Sequence, residues 1–522
     1  MSTTSLQPLS LIKGLMRTDV YDPPVKNCQL IETHISWVIL AGSYAYKIKK
    51  SIDLGFLDFS TLEKRRYYCQ EELRLNKRLA PNVYLSVVPV AGTVENPQWA
   101  GKGEAIEYAV KMRAFPQQAQ LDRLLGTQTL QARQIDMLAR YIADFHTNSD
   151  AAEVGSLYGD SERIFGPVEE NFRQIREHIN NEEALASLVE LERWSKTTFH
   201  ALQSTFAQRK GAGFIRECHG DLHLRNIAWV DDAPLVFDCI EFSPALRYID
   251  VISDVAFLVM DLQDRKQPIL AQRFLNNYLQ HTGDYPGLCV FRFYQVYRAL
   301  VRAKIDAIRA HQAGINAQER DEAEKDFFEY LDLALNYIRP AKPQVIITRG
   351  MSASGKSTVS QTLLEQLGAI RIRSDVERKR MFGLQPEETG QTEVGEGIYS
   401  SEATEKTYSK LEGLAAQILA AGYSVIVDAV FLHCRERERF RKLAKTKQTG
   451  FVILECSADL ETLRQRIVHR KNDVSDADLK ILDMQLSTWQ PLHRDELINT
   501  MVIDTNSPVD IPLLVKRLTA KR

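Results

Sequence analysis

The stretch VIITRGMSASGKSTVSQTLL, residues 345–364, constrains how this 522-residue chain can fold more tightly than any other. Gly350, Gly355, Lys356 and Ser357 meet the spacing G-x-x-x-x-G-K-[ST] without relaxation. Glycines there let the backbone curl around an anion, with the N–H groups of the loop Gly350, Met351, Ser352, Ala353, Ser354, Gly355 turned inward. Lys356 then reaches the β/γ-phosphates, Ser357 can ligate Mg²⁺, and Thr358 opens a helix whose positive end faces the anion. The motif demands a strand before it and a helix after it, and QVIITR and KSTVSQTLLEQL supply both.

The rest of 344–522 continues the alternation. AIRIR, YSVIVD, FVILEC and TMVIDT are short apolar runs separated by helical patterns near DVERKRMF, 401–420 and beyond. Buried strands alternating with helices predict a parallel sheet between helical layers, a P-loop NTPase arrangement. IRPAKP, 338–343, is the predicted linker, because its prolines interrupt helix and favour extended chain. Residues 1–115 read differently: ISWVIL, AYKIKK, NVYLSVVPV and AIEYAVKMR are antiparallel-strand patterns around the helical TLEKRRYYCQEELRLNKRLA. From 116 to 337 the pattern is mostly helical. A small sheet-rich lobe followed by a larger helical one predicts a two-lobed α+β plan, making the chain an α/β multidomain protein.

A phosphate loop needs a further carboxylate at a strand end for the metal, and Asp428 follows the run YSVIVD. Asp375 follows AIRIR directly, where it either serves the acceptor hydroxyl or, with Ser374, caps the next helix. Arg466 and Arg470 stand four apart on one helical face, placed either to close over a phosphoryl group or to sit in solvent. Together these residues resemble the P-loop small-molecule kinases, the group that includes gluconate kinase, adenylylsulfate kinase and zeta-toxin-type kinases. The resemblance covers nearly all of 344–522. It implies that Asp375 serves the acceptor, that Arg466 and Arg470 contact ATP, and that Asp428 stands in the metal or acceptor shell.

A second constellation lies in RECHGDLHLRNIAWVDDAPLVFDCIEFS, residues 216–243. Asp221 and Asn226 are spaced D-x-x-x-x-N, and Asp238 follows the apolar run PLVF. Phosphoryl transfer needs one carboxylate near the acceptor hydroxyl, plus an amide oxygen and another carboxylate for Mg²⁺. Asp221, Asn226 and Asp238 offer those three in order. His219 and Gly220 are read as shaping the loop, and Asp231 and Asp232 as ordinary turn residues. HGDLHLRN…FD closely resembles the catalytic and metal motifs of aminoglycoside phosphotransferases and related small-molecule kinases, over roughly 30–310. That resemblance implies a two-lobed protein-kinase-like fold and an N-lobe lysine paired with a helix glutamate. Lys47 and Lys49 share a strand face. Lys47 with Glu72 is the preferred pair, Glu71 the alternative partner, and the remaining lysines are expected in solvent. VKMRAFP, 110–116, would be the hinge lining the adenine pocket. Asp250 and Asp254 are expected to brace the catalytic loop by hydrogen bonds. The turn LAGSY is short for a nucleotide-covering loop, and FDCIEF departs from the protein-kinase DFG sequence.

Composition limits the alternatives. Lys plus Arg number 66 against 68 Asp plus Glu, so no polybasic surface for nucleic acid or membrane is expected. Seven scattered cysteines without a CxxC pair argue against a disulfide framework or structural zinc and predict a reducing, cytoplasmic setting. The first residues lack a signal-peptide pattern, and no apolar run reaches membrane-spanning length. As a whole the chain resembles the bacterial proteins described as bifunctional aminoglycoside phosphotransferase/ATP-binding proteins. The resemblance implies a kinase using ATP and Mg²⁺ at two sites on small hydroxylated substrates, with Asp221, Asp375 and Lys356 carrying the chemistry. Two other readings stay open: one half is a nucleotide sensor for the other, or the C-terminal half is a nucleic-acid end kinase. Against the latter, residues 344–522 carry 26 Lys plus Arg and 24 Asp plus Glu.

Overall fold

The computed structural model describes residues 9–520 apart from 56, 313, 386, 387, 389–397, 399 and 470–478. The N-terminal strands Cys28–Glu32 (β1), Ser36–Ala41 (β2), Tyr44–Lys49 (β3), Tyr84–Gly92 (β4), Pro97–Trp99 (β5) and Glu107–Arg113 (β6) form one antiparallel sheet in the order β1-β2-β3-β6-β4-β5. Gly42 and Ser43 make a two-residue turn between β2 and β3, with Gly42 at φ 58°, the left-handed backbone such hairpins require. Helix Leu62–Asn76 (α1) starts at Thr61, whose side chain accepts from the Lys64 N–H. Its buried face, Arg65, Cys69, Glu72 and Asn76, follows helical spacing. Cys69 packs with Tyr84, Val110, Ala228 and Leu235, so one core joins this helix, the sheet and residues 228 and 235 further along the chain.

Further along lie helix Ala132–Asn148 (α2), helix Glu182–Gly211 (α3) and the short strands Ile215–Glu217 (β7), Ile227–Val230 (β8), Ala233–Val236 (β9) and Tyr248–Asp250 (β10). β8 and β9 form a hairpin whose tip residues Asp231 and Asp232 have φ 51° and 56°, the turn role read from VDDAP. Helices Val251–Asp264 (α4), Pro268–Thr282 (α5), Leu288–Ala310 (α6) and Ala317–Ile338 (α7) follow. The chain falls into two units, Met1–Glu170 with Phe206–Asp261, and Asn171–Thr205 with Leu262–Arg522. Residues 338–343 lie inside the second unit, between the end of α7 and the next strand.

That unit holds a five-stranded, wholly parallel sheet: Gln344–Arg349 (β11), Ile370–Arg373 (β12), Val425–Asp428 (β13), Gly450–Ser457 (β14) and Thr500–Asp504 (β15), ordered β12-β13-β11-β14-β15. Between the strands run helices Lys356–Leu367 (α8), Ser374–Met381 (α9), Ser401–Ala420 (α10), Cys434–Thr446 (α11), Leu460–His469 (α12) and Leu479–Thr488 (α13). β11 is buried along its whole length, as a central parallel strand must be. The outer edge of β12 does not meet solvent. Asn276 on α5 accepts from Arg371 N–H at 2.8 Å, and Gln272 and Asn276 both donate to Ala369 O, at 2.8 and 3.1 Å. Amide side chains there satisfy backbone groups that a buried edge would otherwise leave orphaned. No helix among the described residues is long and apolar enough to cross a membrane.

Candidate active sites

In the first unit the loop between β7 and β8 is held from beneath. Asp254 on α4 accepts from His219 N–H at 2.8 Å and Gly220 N–H at 3.0 Å, and His146 on α2 lies 3.4 Å from it. Asp261 accepts from Leu224 N–H at 2.8 Å. Gly220 has φ 87°, and a Cβ there would stand 2.8 Å from Leu246 O, so only glycine fits. Burial pushes the His219 imidazole down, despite Asp254 and Asp221 nearby. A neutral ring matches its contacts: Nδ1 accepts from Asp221 N–H at 3.2 Å, and Nε2 lies 2.9 Å from Phe237 O. Asp250 pairs with Arg209 on α3 at 2.6 and 2.8 Å.

On this frame Asn226 donates through Nδ2 to the Asp221 carbonyl and to its Oδ2, at 3.0 and 3.1 Å. Its Oδ1 is thereby the opposite end of the amide. Phe237 N–H donates to Asn226 O, so the hairpin register sets Asn226 beside Asp238. Asp238 has φ 65°, a left-handed backbone rare for a non-glycine residue. Its N–H donates to Tyr84 Oη at 3.2 Å, and the next N–H, of Cys239, donates to Asn76 Oδ1 at 2.9 Å. Lys47 Nζ lies 2.5 Å from Asp238 Oδ1 and 2.9 Å from Glu72 Oε1.

The other strand-face lysine corrects a sequence expectation. Lys49 is not in solvent but fully buried, 2.7 Å from Glu72 Oε2 and paired with Glu241. Glu71, the alternative partner, pairs instead with Arg74 and Arg247. Burial alone would raise the Glu72 carboxyl, but Lys47 and Lys49 outweigh it and hold the group ionised. Glu241 escaped sequence reading. Its only signal is an acid placed between the apolar residues of FDCIEF, three positions after Asp238.

Glu217 on β7 is another acid that no sequence motif marks. It receives Arg74 at 2.8 Å, Arg78 at 3.1 Å and Arg247 at 3.0 Å, tying α1 to the root of the loop that carries Asp221. Burial would raise its carboxyl, but the three guanidinium groups hold it at about 2. A folded value below the unfolded one contributes stability that is complete above pH 4.5 and lost as pH falls from there towards 2. The full contribution is on the order of 3 kcal/mol. Glu217→Gln should therefore flatten the fall in melting temperature of the first unit between pH 5 and 3; an unchanged slope would contradict the assignment.

In the second unit the turn after β11 curls tightly before α8. Gly350, Ala353 and Gly355 have φ 150°, 63° and 80°. A Cβ on Gly350 would lie 2.4 Å from both Cys456 O and Ser354 Oγ. Lys356 Nζ donates to Met351 O at 2.6 Å. Gln485 on α13 pins the loop, accepting from Ser352 N–H at 2.8 Å and donating to its hydroxyl at 3.0 Å, another contact the sequence did not signal. Asp428, at the end of β13, accepts from Ser360 at 3.1 Å and interacts with the Ser357 hydroxyl. Burial raises its carboxyl, but Arg373, Arg371 and Lys356 bring it below the usual range.

A cavity of about 980 Å³ opens over this turn. Ser352, Ala353, Gly355, Lys356, Ser357 and Thr358 line one side, and Asp375, Asp428 and Arg466 also face it. Asp375 sits in the first turn of α9, whose N-cap residue is Arg373, with no side-chain hydrogen bond to the helix end. Arg466 donates to Ala353 O at 3.2 Å and Thr505 O at 2.6 Å, bracing the loop itself. Arg470 lies outside the described residues.

Residues 64–291 match the phosphotransferase enzyme family model, and residues 345–492 match a model described as an AAA domain. Uncharacterized proteins of Mycobacterium tuberculosis and Mycobacterium bovis are 30% identical over 482 residues, 91% of this chain and 92% of theirs. Among solved structures, an amicoumacin kinase bound to AMP-PNP and Ca²⁺ overlaps 58% of this chain and 88% of its own, at 12% identity and TM-score 0.39. A gluconokinase from Sinorhizobium meliloti overlaps 35% of this chain and 92% of its own, at 20% identity and TM-score 0.25. The chain belongs to one family with the mycobacterial proteins and joins an aminoglycoside-phosphotransferase-like kinase domain to a P-loop kinase domain.

Proposed function

We propose that this protein is an ATP- and Mg²⁺-dependent phosphotransferase with two nucleotide sites, moving the γ-phosphoryl group of ATP to hydroxyl groups of small molecules. The observation that carries the reading is that each unit brings a lysine, a carboxylate and a neutral oxygen donor together at a shaped backbone turn. The donor chemistry fits magnesium in both places. Asn226 Oδ1 and Asp238 are hard oxygen ligands, and so are Ser357 Oγ and Asp428. Bound magnesium would neutralise charge on the β- and γ-phosphate oxygens.

In the first unit Lys47, oriented by Glu72, would grip the α/β-phosphates. Asp221, held by Asn226, would orient the acceptor hydroxyl and take its proton as the oxygen bonds to the γ-phosphorus and ADP leaves. In the second unit the wrapped turn and Lys356 would hold the triphosphate, and Asp375 would face the acceptor. Metabolites carrying hydroxyl groups are the acceptors to screen, by ATP consumption, with calorimetry counting bound nucleotide. Two Mg·ATP per chain, with Lys356→Ala reducing the count to one, is the expected result; one site in the unaltered chain would end the two-site reading.

A second reading is favoured by the two-residue Gly42–Ser43 turn, which is too short to fold over a triphosphate. In it the N-terminal half binds nucleotide and regulates its neighbour without turnover. Two bound nucleotides with acceptor-dependent turnover only at the P-loop site would support it.

A further inference from the structure

Lys49 and Glu241 are buried charged groups beside Glu72 that the proposed mechanism leaves unused. Asp238, Lys47, Glu72, Lys49 and Glu241 form an unbroken chain of alternating charge, each member within ion-pair distance of the next. Only its first member opens to solvent: the Asp238 side chain is 46% exposed and that of Lys49 0%. The Lys49 ammonium is walled on a further side by the Phe59 ring, 4.8 Å from its centroid. Lys49 therefore cannot reach a phosphate.

A single Lys47–Glu72 pair would already be neutral. Burying a second lysine and a second glutamate beside it costs desolvation that ion pairing seldom more than offsets, so stability alone is a weak reason for their presence. Geometry supplies a better one. The two Glu72 oxygens are engaged by different lysines, Oε1 by Lys47 and Oε2 by Lys49, which fixes the rotation of the carboxylate. Lys47 and Lys49 leave β3 on the same face, two residues apart, and meet Asp238 and Glu241, three residues apart in one irregular segment. Two points on the strand are thus pinned to two points on the segment that carries the candidate metal carboxylate. Asp238 sits in a strained backbone conformation, which persists only where its surroundings hold it.

We propose that Lys49 and Glu241 are a positioning pair that sets Glu72 and Asp238 about Lys47, so that the N-terminal site accepts magnesium and the triphosphate together. The proposal rests on the kinase reading of that half. Removing Lys49 would leave Glu72, Glu241 and Asp238 competing for Lys47, drawing it from the phosphates.

The test uses the full chain carrying Lys356→Ala, so that calorimetry with Mg·ATP and titrated free Mg²⁺ reports the first unit. Lys49→Met should weaken Mg·ATP binding and raise the Mg²⁺ needed by about tenfold, the scale on which residues orienting metal ligands act. Lys49→Arg should restore much of it, and so should Lys49→Met combined with Glu241→Gln, which removes the buried charge imbalance. Where Lys49→Met does not fold, Glu241→Gln carries the same expectation on Mg²⁺ dependence. A merely structural pair would lower melting temperature while leaving the Mg²⁺ requirement of the folded protein unchanged, and that result overturns the proposal. So does a double variant that binds no better than Lys49→Met. If the Lys356→Ala chain binds no Mg·ATP at all, the kinase reading of the first unit falls, and the positioning role falls with it.

Discussion

Lys356→Ala is expected to lower turnover at the P-loop site by about 10²–10³-fold while leaving N-terminal turnover in place, and Asp221→Asn is expected to do the reverse. Alanine keeps the backbone wrap, which Gly350, Ala353 and Gly355 set through their torsions, and deletes only the ammonium. Asparagine keeps the shape of Asp221 and can still meet the Asn226 amide, but it cannot take a proton. The two effects are separable because each set of residues lies within its own unit. Assays with each acceptor found by the metabolite screen, run on both variants and on the double variant, decide the matter. Two activities surviving in the double variant would refute the assignments of Lys356 and Asp221 alike.

Asp254→Ala is expected to destabilise the first unit by about 3 kcal/mol and to suppress its turnover. The carboxylate is fully buried and accepts the N–H groups of both His219 and Gly220. Removing it orphans two buried donors, each costing about 1–3 kcal/mol. The loop carrying Asp221 and Asn226 would then lose its support. Asp254→Asn, with a single carbonyl oxygen remaining, should fall between. Calorimetric melting should show the first-unit transition lowered and the second unmoved. If Asp254→Ala melts like the unaltered protein, the bracing role is wrong.

Much of this arrangement could be read directly along the chain. The glycine-lysine-serine spacing at 350–357 predicts a strand before it and a helix after it, and β11 and α8 stand there. Apolar runs alternating with helical stretches predict a parallel sheet, and all five strands run parallel. Asp221, Asn226 and Asp238 could be grouped because a hairpin of two short strands closes over only a few residues, and its register brings Asn226 to Phe237. Period-two alternation placed Lys47 and Lys49 on one face.

Partners far apart in sequence were out of reach. Glu72 had two candidate lysines, and nothing local says that one carboxylate engages both. Glu241 and Glu217 looked like any other acids; only the folded chain shows each gathering cations from α1, β3 or the segment near Arg247. Gln485 lies more than a hundred residues from Ser352, and Asn276 nearly as far from the edge of β12 that it caps.

The division follows from range. Periodicity, turn chemistry and motif spacing are properties of neighbouring residues, so this chain announces its strands, its helices, its glycine-rich turn and the hairpin after Asp221 in its order of amino acids. Which buried charge meets which depends on how separate elements pack. A carboxylate taken from water must find a cation wherever the fold brings one, and that choice was settled by how α1, β3 and the segment after Asp238 come together.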